Sequence, residues 1–336
     1  MKKLLNIILI LILSLNLSAC GTSKATYSSN NETKEEALPQ AANEDEKRNN
    51  ESSEQDKAVI RHADIYAKQQ QNSNNTEAKD NNSNTLTTPV QKNTKPEVTQ
   101  NPQQSEVSKL DTRYNEWGNI RNSNHTTPGI PSIIKPWVGK YNVIFTGDTS
   151  RKIIYFTFDA GGETGYANQI MDTLCKHGIK ATFFVTLPYI TKNPDIVRRM
   201  VKEGHAVANH TVNHLGLPNL TDEKIKQEYE GVEKEFAKVT GLSMMKCVRP
   251  PMGAYSEKSL CVTKQLGYKT VFWSIAYRDY DINNQPSHDE AMSIIQNNHH
   301  NGAILLLHLA SKTNADTLDE MISFLKSQGY SFGLIS

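Results

Sequence analysis

Neither a glycine-rich nucleotide fingerprint nor an internal repeat occurs in the 336 residues, so nothing points to phosphate-cradling loops, solenoids or propellers. Net charge is nearly absent as well: 37 lysines and arginines against 36 aspartates and glutamates leave +1. With no basic block either, a nucleic-acid partner is not expected. Cysteine is scarce, four in all. Beyond Cys20 only Cys175, Cys247 and Cys261 remain, an odd number that argues against a disulfide framework while leaving a single bridge open. Cys175, inside IMDTLCKHG, reads as a helix core residue. Apolar residues are almost missing from Gly21 to about Lys109, where stretches such as NNETKEEALPQAANEDEKRNNESSEQDK cannot build a core and are expected to be disordered. A short helix around KAVIRHADIYAKQQ would be marginal alone. A flexible tether of about 90 residues reaches roughly 50 Å.

What is present begins with MKKLLNIILILILSLNLSAC: two lysines, an apolar stretch of roughly 12 residues, then small residues, the layout of an export signal. Leu17-Ser18-Ala19-Cys20 resembles the lipobox of bacterial lipoproteins, in which the cysteine is acylated; a plain signal peptide with a chance cysteine is the alternative. Each buried lipid methylene contributes about 0.8 kcal/mol, so acylation at Cys20 would hold the chain firmly at a membrane. The expected organisation is a signal at 1–19, a polar linker at 20–109 and one folded domain at 110–336, placed outside the cytoplasm in the cell envelope.

From Lys152 onward strand and helix patterns alternate. KIIYFTFD, KATFFVTL, HAVAN, KCVRP, KTVFWSI, GAILLLH and YSFGLIS read as strands. Between them lie TGYANQIMDTLCKHG closed by Gly178, NPDIVRRMVKEG with a capping asparagine, the long TDEKIKQEYEGVEKEFAKVTG, SEKSLCVTKQLG, SHDEAMSIIQNN and NADTLDEMISFLKSQG. About seven β/α units imply a parallel sheet covered on both faces. A distorted TIM-like (β/α)7 barrel is preferred over an open doubly wound sheet. In a barrel, residues at the C-terminal ends of strands converge on one pocket.

Those ends carry Asp159, His210 and His214, Arg249, Asp279 and His308. The question starts at TFDAGGE, where a strand of β-branched and aromatic residues finishes on a carboxylate followed by flexible backbone. His210 and His214, four residues apart, would on a helical turn bring their Cβ atoms about 6 Å from each other, a spacing that suits a divalent metal, zinc first, with cobalt or manganese as alternatives. Such a pair also arises by chance. With no glutamate between the histidines, a general base must come from another strand, and Asp159 is the obvious donor. His308 is either a hydrogen-bonded core histidine or, with a carboxylate nearby to raise its pKa, a proton donor to a departing amine. Arg249 is either a surface residue before two prolines or a clamp that keeps Asp159 ionised. Trp273 reads as core, with stacking on a sugar ring as the alternative.

Taken in order, TFDAGG, HTVNH, RPPMGAY, WSIAYRDY and ILLLH resemble the five motifs of the polysaccharide deacetylases of carbohydrate esterase family 4, the NodB-like domains, over essentially everything from Asp111 on. RPPMGAYSEKSL, FWSIAYRDY and LLLHLASKTNADTL are most similar to the muramic-δ-lactam branch, which acts on N-acetylmuramic acid in spore cortex. The resemblance implies Asp159 as general base, Arg249 as the residue orienting it, His210 and His214 as metal ligands, His308 as general acid and Asp279 as the carboxylate tuning it. It further implies a metal that polarises the acetyl carbonyl and an oxyanion site at backbone N–H groups near Tyr255. Two positions depart from the family pattern. Ala160 stands where most members carry a second, metal-binding aspartate and the muramic-lactam branch an asparagine, and Tyr280 replaces a tryptophan. With Ala160, metal should bind more loosely unless Asp159 or Glu163 leans in.

The expected function is therefore a metal-dependent peptidoglycan N-deacetylase acting on N-acetylmuramic acid, with glycan strands as partner and the membrane reached through Cys20. Alternatives are a deacetylase of N-acetylglucosamine in peptidoglycan or another envelope polysaccharide, and an inactive glycan-binding lipoprotein. Oligomeric state is not legible.

Overall fold

The computed structural model describes Val107 and residues 109–335. The expected signal, Cys20, nearly all of the linker and the marginal helix lie outside the described residues.

Eight strands form one path of parallel pairs, in the order β2 (Val143–Ile144), β8 (Lys269–Val271), β6 (Met245–Val248), β5 (Ala206–Asn209), β4 (Thr182–Val185), β3 (Ile153–Ala160), β10 (Ile304–His308) and β9 (Ile275–Ala276), with β11 (Ser331–Phe332) pairing β3. The run KTVFWSI, expected as one strand, is two. β8 pairs β6 and β2, whereas β9, a few residues on, pairs β10 at the far end of the order. One stretch of chain thus serves both ends, breaking at Phe272–Ser274 to do so, and the sheet curls into a distorted barrel. The TIM-like expectation holds.

Helices cover the outside. β3 explains why: Phe156 and Phe158 bury against Ile170, Met171 and Leu174 of α2 (Ala167–His177) and Leu318 and Ile322 of α8 (Lys312–Ser327), each such side chain contributing roughly 1.5–3 kcal/mol. Strand alternation then turns Thr157 and Asp159 the other way, into the barrel. Gly178 and Gly241 take left-handed backbone and end α2 and α5 (Asp222–Thr240), as their sequence positions predict. Thr221 caps α5 by accepting from the Lys224 amide, and Ser287 closes a capping box with Glu290 on α7 (His288–Asn298).

Some expectations fail. Asn193 precedes α4 (Pro194–Lys202) without a side-chain cap, because its side-chain amide instead donates to Tyr189 O of α3 (Leu187–Lys192), a helix the sequence pattern did not reveal. Cys175 is half-buried, not core; no disulfide joins Cys175, Cys247 and Cys261, in keeping with the odd cysteine count. Before the barrel, residues 111–141 run as a strap. Its β1 (Asn115–Glu116) pairs antiparallel with β7 (Ala254–Tyr255), Trp117 stacks on Phe272 at 4.5 Å, and α1 (Lys135–Val138) buries Trp137.

Candidate active site

Parallel register brings the first two site residues together: His308 at the end of β10 lies opposite Asp159 on β3. Arg249, the residue after β6, reaches across the barrel interior. Its Nη1 donates to Asp159 Oδ1 at 2.6 Å and its Nη2 to Thr157 Oγ1 at 2.8 Å, while the guanidinium lies 4.1 Å from the Phe184 ring centre and 5.9 Å from that of Trp273. Arg249 is fully buried, so the surface alternative is wrong. Trp273 is half-buried, and packs against this arginine. Burial pushes the Asp159 carboxyl up, but the Arg249 guanidinium, with His210 and His308 beside it, outweighs burial and holds it below the usual carboxylate range.

His308 is paired on its other side. Its Nδ1 donates to Asp279 Oδ1 at 2.7 Å, and its backbone N–H to Asp279 Oδ2 at 2.7 Å. Asp279 is fully buried in the loop after β9 and accepts a further bond, 2.6 Å, from Asn314 Nδ2; Tyr277 OH in turn donates to Asn314 Oδ1. Burial alone would lower the His308 pKa. The Asp279 carboxylate, by charge and hydrogen bond and with help from Asp159, raises it above the ordinary histidine value. Fixing Nδ1–H on Asp279 leaves Nε2 as the ring nitrogen for a substrate. Tyr280 sits edge-on to this imidazole, 5.9 Å between ring centres.

The histidine pair departs from its expected conformation. No helical turn forms between His210 and His214; the backbone is a tight loop in which Thr211 and His214 are left-handed, with φ of 70° and 54°. A β-branched residue there stores about 1–3 kcal/mol. Thr211 is held in place by an N–H bond to Asn209 Oδ1 at 2.8 Å and by its Oγ1, which accepts from His214 N at 3.1 Å. The bond a helical turn would need, His214 N–H to the His210 carbonyl, is replaced by the one to Thr211 Oγ1, and the Val212 and Asn213 amides bond to a glutamate on α5, Glu228, at 3.0 and 2.7 Å. Even so, the rings meet, T-shaped with centres 4.8 Å apart.

Do these residues fit a metal? His210 Nδ1 donates to the Arg249 carbonyl at 2.8 Å, and burial lowers the ring's pKa against the pull of Asp159, so Nε2 carries a lone pair. That nitrogen lies 3.5 Å from Asp159 Oδ2. Two acceptors about 3.4 Å apart is the edge expected of a tetrahedral zinc site with ligands at about 2.1 Å. His210 Nε2 and Asp159 Oδ2 are therefore spaced as two donors, and the His214 ring lies against that of His210. Yet among the described residues no three His, Cys, Asp or Glu side chains stand as a complete ligand cluster. Ala160 is fully buried and offers no donor. Glu163 does not lean in: its carboxylate accepts from Tyr189 OH at 2.7 Å and Gly165 N at 2.6 Å.

All six predicted residues thus gather on one side of the barrel. Sequence reasoning missed Asn314 and Glu228. A polar residue on the otherwise apolar buried face of α8 (Asn314, Leu318, Met321, Leu325) was the available signal for the first. Tyr255 is buried in the β1–β7 ribbon. A cavity of about 430 Å3, lined among others by His177, Lys180, Lys326 and Tyr330, lies near the N-terminal end of β4 and contains none of the six.

The polysaccharide deacetylase family model matches residues 146–271. A peptidoglycan-N-acetylmuramic acid deacetylase, PdaA of Bacillus subtilis, is 42% identical over 216 residues, 64% of this chain and 82% of the relative. A peptidoglycan-N-acetylglucosamine deacetylase of Bacillus cereus is 34% identical over 190 residues, 56% of this chain and 88% of the relative. The solved structure of Bacillus subtilis PdaA, a family 4 carbohydrate esterase, superposes with a TM-score of 0.64 at 40% identity, covering 66% of this chain and 95% of that one.

Proposed function

Because the chain belongs to the polysaccharide deacetylase family and is a hydrolase of amide C–N bonds, we propose that its substrate is the N-acetyl group of N-acetylmuramic acid in peptidoglycan. On this reading Asp159 is the general base and His308 the general acid. Asp159 Oδ1 is anchored by Arg249, so Oδ2 takes the proton of the attacking water as its oxygen joins the acetyl carbon. His308 Nε2 delivers a proton to the sugar nitrogen as the C–N bond breaks, leaving acetate and a free amine. Asp279 keeps that proton on the imidazole until it is needed. His210 and His214 would hold a divalent ion, zinc first, leaving Asp159 Oδ2 to the attacking water. When bound, the ion supplies Lewis-acid polarisation of the acetyl carbonyl.

One observation carries this reading: an ionised carboxylate and a proton-holding histidine, each locked by its own buried partner, side by side on adjacent strands. The muramic acid preference is supported by the PdaA relative; a place in spore cortex rests on the motif resemblance to the muramic-δ-lactam branch, and lipid anchoring at Cys20 on the lipobox-like sequence. The Bacillus cereus relative supports a second reading, deacetylation of N-acetylglucosamine. Acetate release by chain 21–336 with zinc, cobalt or manganese separates them. Release from peptide-free strands, with de-N-acetylated muramic acid in the digest, is expected. Glucosamine as the only new amine moves the assignment to the second reading, and no release with any metal ends both.

A further inference from the structure

We propose that Glu228 is a positioning residue for the His210–His214 pair, and that α5 is the seat on which the loop joining them is held in its strained form before any ion arrives. The inference rests on the reading that this pair holds a metal. Glu228 is 1% exposed, and a buried carboxylate is costly unless its lone pairs are matched. Here they are matched by one loop. Oε2 accepts from Val212 N at 3.0 Å and Asn213 N at 2.7 Å, and Oε1 accepts from Asn213 Nδ2 at 2.7 Å. The nearest cation, Lys224 one turn earlier, is 3.8 Å from Oε1.

Gly231 adds an independent observation. It lies three residues on, on the same helix face, and a Cβ placed there would fall 2.5 Å from Val212 Cγ2. The helix therefore offers a carboxylate to the amides and polar side chain of the loop and a bare backbone to its valine. A third tie comes from Asn209, whose Nδ2 donates to Tyr229 O on α5 at 3.0 Å while its Oδ1 accepts from Thr211 N. Together these contacts satisfy the N–H groups of Thr211, Val212 and Asn213 and fix the backbone on which both imidazoles stand. Because Ala160 supplies no donor, affinity depends more heavily on the two histidines being preset.

The test compares wild type, Glu228→Ala, Glu228→Gln and, as a control, Glu230→Ala, a half-exposed position on α5 whose carboxylate faces Lys226. Two quantities are read: zinc affinity, by competition with a chromophoric chelator, and amide exchange at Val212 and Asn213 in metal-free protein. Glu228→Ala is expected to weaken zinc binding by at least about tenfold, the range for losing a partner that orients a ligand, and to speed exchange at both amides. Glu228→Gln, which keeps an acceptor without the charge, should fall between. Glu230→Ala should match wild type. Wild-type affinity and exchange in a folded Glu228→Ala overturn the proposal; if that variant does not fold, wild-type values in Glu228→Gln do so. Should wild type fail to bind zinc, cobalt or manganese, the metal reading falls, and the exchange rates alone decide whether Glu228 presets the loop.

Discussion

Asp279 gives His308 its hold on a proton, so its effect is legible in pH. The folded pKa of His308 lies above the unfolded value of about 6.5. The stabilisation from this pair is therefore fully present below that value and is lost as pH rises through the folded pKa. Activity that needs the protonated ring declines over the same upper range. Asp279→Asn should move the alkaline limb of kcat to lower pH and cut kcat at pH 8 by roughly tenfold or more, with the acid limb, set by Asp159, unmoved; an unshifted alkaline limb would remove His308 as the acid. Ala160→Asp, which restores the carboxylate most family members carry, should tighten zinc binding, measured by chelator competition. Unchanged affinity would place the third donor elsewhere. These residues were legible because each follows or ends a strand. Arg249 was ambiguous, since RPP fits a surface turn as well as a clamp, and only the barrel interior decides. Asn314 and Glu228 escaped because both sit inside helices, where a polar residue usually means solvent.

The elements were readable where periodicity and glycine caps agree. β3, β4, β5, β6 and β10 fall on expected runs, and Gly178 and Gly241 end their helices. Where tertiary contacts override local pattern the reading failed: the histidine pair sits on a loop with left-handed Thr211 and His214 that is seated on Glu228, and KTVFWSI breaks because it pairs at both ends of the sheet. Gly231 belongs to this level. Alanine is the better helix former by about 1 kcal/mol, but a methyl 2.5 Å from Val212 overpacks the seat at a cost of about 1–3 kcal/mol. Gly231→Ala should therefore lower stability to urea despite its helix propensity. A stabilised variant would mean that the loop yields freely.

At the level of the whole domain, the strap ties the barrel shut. Trp117 is 4% exposed, stacks on Phe272 at the break between β8 and β9, and donates its indole N–H to Trp273 O at 2.9 Å. Trp117→Ala should cost about 3–5 kcal/mol, seen as a lower Tm, and should loosen Arg249, which rests against Trp273. A Tm within a degree of wild type would make the strap a passive cover. The pairing of β10 with β3 reaches furthest. The proposed base and acid are neighbouring teeth of one comb, so exchanging loops other than the one that carries Asp279 can retune which sugar is accepted without disturbing proton traffic. Strand length has no such freedom: removing one residue from Ile304–His308 would turn the imidazole to the outside and leave the carboxylate with no counterpart.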